Sequence, residues 1–174
     1  MKKILTFAAS ILCVMAAQAV QVNWSASNVT ADGTAGTKIS SANLVGYLFD
    51  ATTSVSDALA AINAVEGDAM PAGAVGAKGT SASNGVVSGA AATVSSDTYP
   101  ANSTQTFYAI IIDKGTGKYI KTQNKEVTMK GTSSTSVAFA SQLDNHTWTP
   151  VPEPTTVALL ALGLAVLGLK RKVA

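Results

Sequence analysis

Between residue 20 and the Pro-Glu-Pro run at 152–154, most large apolar side chains come in strand-length bursts. The strongest is residues 105–112, QTFYAIII, stopped by Asp113. Residues 20–24 (VQVNW) alternate apolar and polar, and residues 43–49 (NLVGYLF) end at Asp50. Residues 119–122, 126–129 and 136–140 follow, separated by Asn-Lys and Gly-Thr-Ser-Ser turns, and Asp113 to Lys118 (DKGTGK) is a hairpin loop. Period-two alternation and short apolar runs between turn residues are the mark of strands. One helix is expected over 57–65: Ser54-Val-Ser-Asp57 has the form of a capping box, Leu59, Ile62 and Val65 share one side, and Gly67 and Pro71 end it. The expected fold is mainly β, an antiparallel β-sandwich with one short helix.

Residues 71–103 interrupt this pattern with Ala, Gly, Ser, Thr and Asn. Few large side chains are available there to offset the entropy of ordering. The segment is expected as a low-complexity loop, with edge strands near 85–87 and 92–94 as the alternative. GYLFD and AIIID, each a strand ending in Asp, raise the idea of a duplicated unit, for which two strand ends are thin support.

Both termini carry a different signal. Lys2 and Lys3 precede an apolar stretch at 4–15 and the small-residue site Ala17-Gln18-Ala19. That order is a signal peptide, with cleavage expected after Ala19. It calls for signal peptidase and Sec-type export machinery as partners. At the other end, residues 157–169 contain only Val, Ala, Leu and Gly. As a helix they span about 20 Å at about 1.5 Å per residue, short for a bilayer. Apolar residues on every face leave no solvent side. Lys170, Arg171 and Lys172 follow at once, and their long stems can reach lipid phosphates from a short span. A transmembrane helix with a cationic stop is expected. Positive charge stays cytoplasmic, so the segment between the two ends is exported. The chain divides into a signal peptide (1–19), an exported β-rich domain (20–149) and a C-terminal signal (150–174).

Pro152-Glu153-Pro154, the hydrophobic segment containing Gly163 and Gly168, and the closing basic cluster together resemble the PEP-CTERM sorting signal. The resemblance covers the last 24 or so residues and implies recognition by exosortase, a membrane-embedded cysteine transpeptidase-like enzyme of bacteria that make extracellular polysaccharide. The mixed Lys-Arg-Lys cluster departs from the arginine-rich one usual in that family. Independently of the resemblance, three prolines at 150, 152 and 154 forbid a helix and hold the backbone extended, accessible to a processing enzyme.

Charge must be read without the two ends. The whole chain is +2, but between residues 20 and 152 seven lysines face nine acids, a net of −2. No basic patch supports nucleic-acid binding. The only cysteine, Cys13, lies in the expected signal peptide, so the exported part has no disulfide. One histidine, His146, and no cysteine cannot supply a zinc site, and no cofactor is expected. A triad on His146 has no Gly-x-Ser-x-Gly elbow to serve. Gly115-Thr-Gly117 and Lys78-Gly79-Thr80 are fragments of nucleotide-binding patterns in the wrong arrangement. Asp113 and its neighbours are the one place for calcium, without the alternating ligands of an EF-hand.

Asn23, Asn28, Asn102 and Asn145 head Asn-x-Ser/Thr matches of the kind that arise easily by chance in so polar a chain. Three function classes remain. The leading one is a non-enzymatic cell-surface or matrix protein associated with extracellular polysaccharide. The second is a carbohydrate-binding module using Trp24, Tyr47, Tyr99, Tyr108, Tyr119 and Trp148. The third is a hydrolase, for which Asp50 and Asp113 are the only candidate carboxylate pair.

Overall fold

The computed structural model describes residues 20–30, 43–83, 85–131, 133–139 and 147–152. The signal-peptide segment, His146, Asn145 and the tail from Glu153 onward lie outside the described residues. Among the described residues nine strands and one helix follow in chain order: β1 (Val20–Ala26), β2 (Leu44–Asp50), α1 (Val55–Asn63), β3 (Ala74–Ser83), β4 (Val86–Val94), β5 (Thr104–Asp113), β6 (Lys118–Lys121), β7 (Lys125–Thr128), β8 (Thr135–Ala138) and β9 (Thr149–Pro150).

The strands join one mixed, open sheet in the order β8-β1-β4-β3-β2-β5-β6-β9, with β7 on β5 beside β6. The expected division into two stacked antiparallel sheets is replaced by this continuous ladder, in which β1 and β8 run parallel. The bridge is the small-residue segment. Expected as a loop or as edge strands, it forms the β3–β4 hairpin between β1 and β2 in mid-sheet. Ser83 pairs with Val86 across the Asn84-Gly85 dipeptide, and Gly85 has φ 68°. Asn-Gly between strands favours the tight two-residue hairpin, because both turn positions need positive φ.

How can strands of Ala, Gly, Ser and Thr hold the middle of a sheet? The register answers. Val137, Trp24, Gly89, Gly79, Gly46, Ile111 and Ile120 are successive cross-strand partners from β8 to β6. Three neighbouring glycines leave a side-chain-free trough, and the Trp24 indole fills it. A Cβ on Gly46 would lie 2.5 Å from Trp24 Cη2, and one on Gly89 2.8 Å from Trp24 Cδ1. The indole thus runs from β4 across β3 to β2, and its Nε1 donates to the Ala77 carbonyl at 2.9 Å. One large side chain from β1 provides the apolar bulk that β3 and β4 lack. Strand glycines of this kind mark close approach by another group.

The sheet is coiled. β8 and β5 are five strands apart in the ladder, about 24 Å along a flat sheet at about 4.8 Å per strand. Yet β7, paired to β5, touches β8, so the ends curve toward one another. Register shifts at Val22/Trp24, Gly46/Leu48 and Ser81/Ser83 supply bulges that increase twist. The concave face encloses the larger core, with Val22, Trp24, Leu48, Phe107, Ile111, Met129, Val137 and Phe139.

β2 and β5 are buried on both faces. Leu48 and Ile111 face the larger core, while Val45, Tyr47, Phe49, Tyr108, Ile110 and Ile112 pack under Ala58 and Leu59 of α1. The helix begins as its sequence specifies. Ser54 is the N-cap, accepting from the Asp57 amide at 3.1 Å and donating to the Asp57 carboxylate at 2.6 Å. It ends at Asn63, two residues before the expected Val65, and Gly67 turns the chain away at φ 64°. Where β6 stops and β7 has not begun, Thr122 completes the β5 ladder. Its amide donates to Ala109 O at 2.9 Å and its Oγ1 accepts from Ala109 N at 2.8 Å.

Candidate processing site at the edge of the domain

The described chain closes on the segment from Thr149 to Pro152. Its path is set by the β5–β6 hairpin, whose Asp113 caps the loop. Asp113 Oδ1 accepts from Gly115 N at 2.8 Å, Oδ2 from Thr116 Oγ1 at 3.0 Å, and Asp113 O from Gly117 N at 2.9 Å. Gly117 takes φ 64°, which a glycine adopts without strain. β6 then presents its outer edge, and β9 pairs with it antiparallel through Lys118–Pro150 and Tyr119–Thr149. Pro150 has no N–H to donate, so an edge position suits it.

Two further bonds extend the docking. Val151 N donates to Gly117 O at 2.9 Å, and Asn63 Nδ2, at the end of α1, donates to Pro152 O at 2.9 Å. Val151 packs with Ile62 and Tyr119 against the helix-side core. The stretch read from sequence as extended, accessible backbone is therefore a short edge strand bonded to β6 and to the end of α1. Beside it lies a cavity of about 330 Å³ between Val151, Ile62, Val65 and the β2–β5 floor at Val45, Tyr47 and Ile112.

Pro152 is the described member of the Pro-Glu-Pro run, and it is exposed. Residues 150–172 match the PEP-CTERM protein-sorting motif. That match takes in 23 of the 174 residues and ends at Lys172. The PEP-CTERM motif is consistent with an exosortase substrate and implies export and membrane-anchored passage before cleavage, ending at the cell surface or outside. No curated protein and no solved structure matched the chain. Glu153, Pro154, the apolar run 157–169 and the stop Lys170, Arg171 and Lys172 lie outside the described residues, as do Ala17 and Ala19. Among the described residues no helix is long and apolar enough to cross a membrane. β1 begins at Val20, the residue directly after the Ala17-Gln18-Ala19 site.

The other sequence candidates are dispersed by the fold. Asp50 pairs with Phe107 and Asp113 with Leu44, at opposite ends of the β2–β5 ladder. Six residues at about 3.3 Å each separate the two ends, about 20 Å, too far for a glycosidase carboxylate pair. Asp50 instead caps its own turn, accepting from Thr52 N at 2.8 Å and Thr52 Oγ1 at 2.7 Å. GYLFD and AIIID thus lie on neighbouring antiparallel strands, with Gly46, Tyr47 and Leu48 paired to Ile111, Ile110 and Ala109.

The six aromatics do not form one stacking face. Trp24, Tyr99 and Trp148 pack with the concave core, whereas Tyr47, Tyr108 and Tyr119 pack on the helix side. Tyr108 is buried, donates its hydroxyl to Thr53 O at 2.8 Å, and has the Lys121 ammonium 4.7 Å from its ring centroid. Burial pushes the phenol up to about 12, and burial lowers Lys121. Trp148 Nε1 donates to Thr30 O at 2.8 Å. Asp113 spends both carboxylate oxygens on its own turn, and among the described residues no three His, Cys, Asp or Glu side chains converge. Lys78 donates to the exposed Asp68, which holds that carboxyl below its usual range. Of the Asn-x-Ser/Thr matches, Asn102 is exposed at φ 64° before β5, and Asn23 lies within β1.

The feature that the sequence left unseen is the Asn63–Pro152 pair. Asn63 is an ordinary polar residue at a helix end, and its partner is 89 residues away. No local pattern announces such a contact.

Proposed function

We propose that this chain is a non-enzymatic cell-surface or extracellular-matrix protein, whose β-domain is exported, held in the membrane by its C-terminal helix, processed by exosortase and then associated with extracellular polysaccharide. The observation that carries the reading is the PEP-CTERM motif at residues 150–172, directly after a folded β-domain. Support for a passive role comes from the described acids and aromatics. The carboxylates of Asp50 and Asp113 cap turns about 20 Å apart by strand spacing. The large aromatic rings are spent on two cores. An exposed polar surface rich in Ser, Thr and Asn would then meet polysaccharide through many weak hydrogen bonds in place of one stacked sugar.

Mass spectrometry of the mature protein from its native host tests the processing. The expected product starts at Val20 and ends at or near Pro152 to Pro154. In a host lacking exosortase, residues 157–169 should remain attached and the protein should stay in the inner membrane. An intact tail on mature protein from a host with working exosortase would refute the sorting reading. Co-sedimentation with the producer's own polysaccharide tests the association. Equal recovery with and without polysaccharide would remove that part.

A further inference from the structure

We propose that residues 149–152 act as a latch, docked on β6 and α1, and that exosortase cuts the tail only from chains in which this latch has peeled away. The inference rests on the exosortase-substrate reading and adds a control step to it. In the docked state one backbone edge is already committed: Thr149 and Pro150 lie on β6, Val151 N is bonded to Gly117 O, and Pro152 O to Asn63 Nδ2. An enzyme that binds an extended peptide needs that same edge. Geometry tightens the conflict. From Pro152 to the start of the apolar run at Val157 is five residues, at most about 17 Å of extended chain. A docked latch therefore holds the folded domain close against the bilayer, with α1 and the β5–β6 hairpin flanking the peptide that an enzyme in the same bilayer must reach.

The latch is also built to open. β9 has two residues, both exposed, and its neighbour Val151 is only partly buried and borders the 330 Å³ cavity. Segments with few buried contacts open locally without global unfolding. Processing then proceeds from a small open population, and its rate follows that population. A product cut near Pro152 keeps Thr149 and Pro150, and these can settle back to cover the β6 edge.

The test uses the full chain in its native host, followed by pulse-labelling and the rate of tail loss. Asn63→Ala removes one latch bond and should speed processing about fivefold, the effect of one hydrogen bond on the open population. Tyr119→Cys with Thr149→Cys should close the latch covalently. The two are direct partners on an antiparallel ladder, where Cα separations of about 4.5–5.5 Å admit a disulfide. Thr149 lies outside the matched motif, so recognition is left intact. The oxidised protein should keep its tail, and added reductant should restore cleavage to the rate of Tyr119→Cys alone. Oxidised protein cut as fast as that single variant, or Asn63→Ala cut at the wild-type rate, would overturn the latch. Wild-type protein that never loses its tail would instead overturn the exosortase reading. The latch then still has its own measurement. Hydrogen exchange at the Val151 amide, on the full chain in detergent, should be about fivefold slower in wild type than in Asn63→Ala. Exchange at the free-peptide rate in wild type would overturn it.

Discussion

Gly79→Ala is the sharpest probe of how this sheet is held together. A Cβ at position 79 would stand 2.6 Å from Trp24 Cη2, closer still to Cζ2, and 3.1 Å from Val87 Cγ1. Neither neighbour can yield easily, since Trp24 is 2% exposed and Val87 fully buried. Overpacking a tight core costs about 1–3 kcal/mol. Tilting the indole would also break its bond to Ala77 O, another 1 kcal/mol or so. A loss of about 3 kcal/mol is expected, about 10–15 °C in Tm for a domain of this size. The backbone itself has no objection, because Gly79 is not among the positive-φ glycines. That makes the second half of the experiment decisive. Trp24→Ala alone should cost about 3–5 kcal/mol. With the indole gone, adding Gly79→Ala should be neutral or stabilising by up to about 1 kcal/mol, as alanine loses less backbone entropy on folding. Urea denaturation of wild type, both single variants and the double variant closes the cycle. Additive costs, or a Gly79→Ala protein as stable as wild type, would refute the trough beneath Trp24.

Two further outcomes are expected. Burial raises the folded pKa of Tyr108 to about 12, above the ordinary value of 10.0. Up to about pH 10 its contribution is whole; between pH 10 and 12 the unfolded chain loses its phenolic proton first, so stability falls as pH rises. Tyr108→Phe should cost about 1 kcal/mol at pH 7 through the lost Thr53 bond and should flatten that alkaline decline; an unchanged decline would show that the phenol is not responsible. Ile111→Asp places a charge with no partner at a fully buried position and should cost several kcal/mol, read as a large drop in Tm; no drop would mean that β5 is not central.

Much of this molecule is local enough to be legible in one dimension. The strands at 20–26, 44–50, 104–113 and 118–121 follow from alternation and apolar runs ended by turn residues, to within two residues at each end. The Ser54 cap and the Asp113 loop follow because a side chain and the backbone a few residues away settle them alone. The tail chemistry is legible for the same reason, since proline stiffness, an uncharged run and a basic cluster act without a partner. Asn84-Gly85 also announces the β3–β4 hairpin, against the composition around it. What only the tertiary structure decided is everything that depends on distant partners. Residues 74–94 look too small to fold, because their bulk is supplied by Trp24 from another strand. Asp50 and Asp113 look alike along the chain, and antiparallel pairing sends them to opposite ends. The aromatics look like one set, and the pleat divides them between two cores. Thr149 to Pro152 looks like extended, accessible chain, yet Gly117 and Asn63 bind it to the domain. A sequence carries each side chain's own preference, but which backbone edge and which face it meets is settled when the sheet closes.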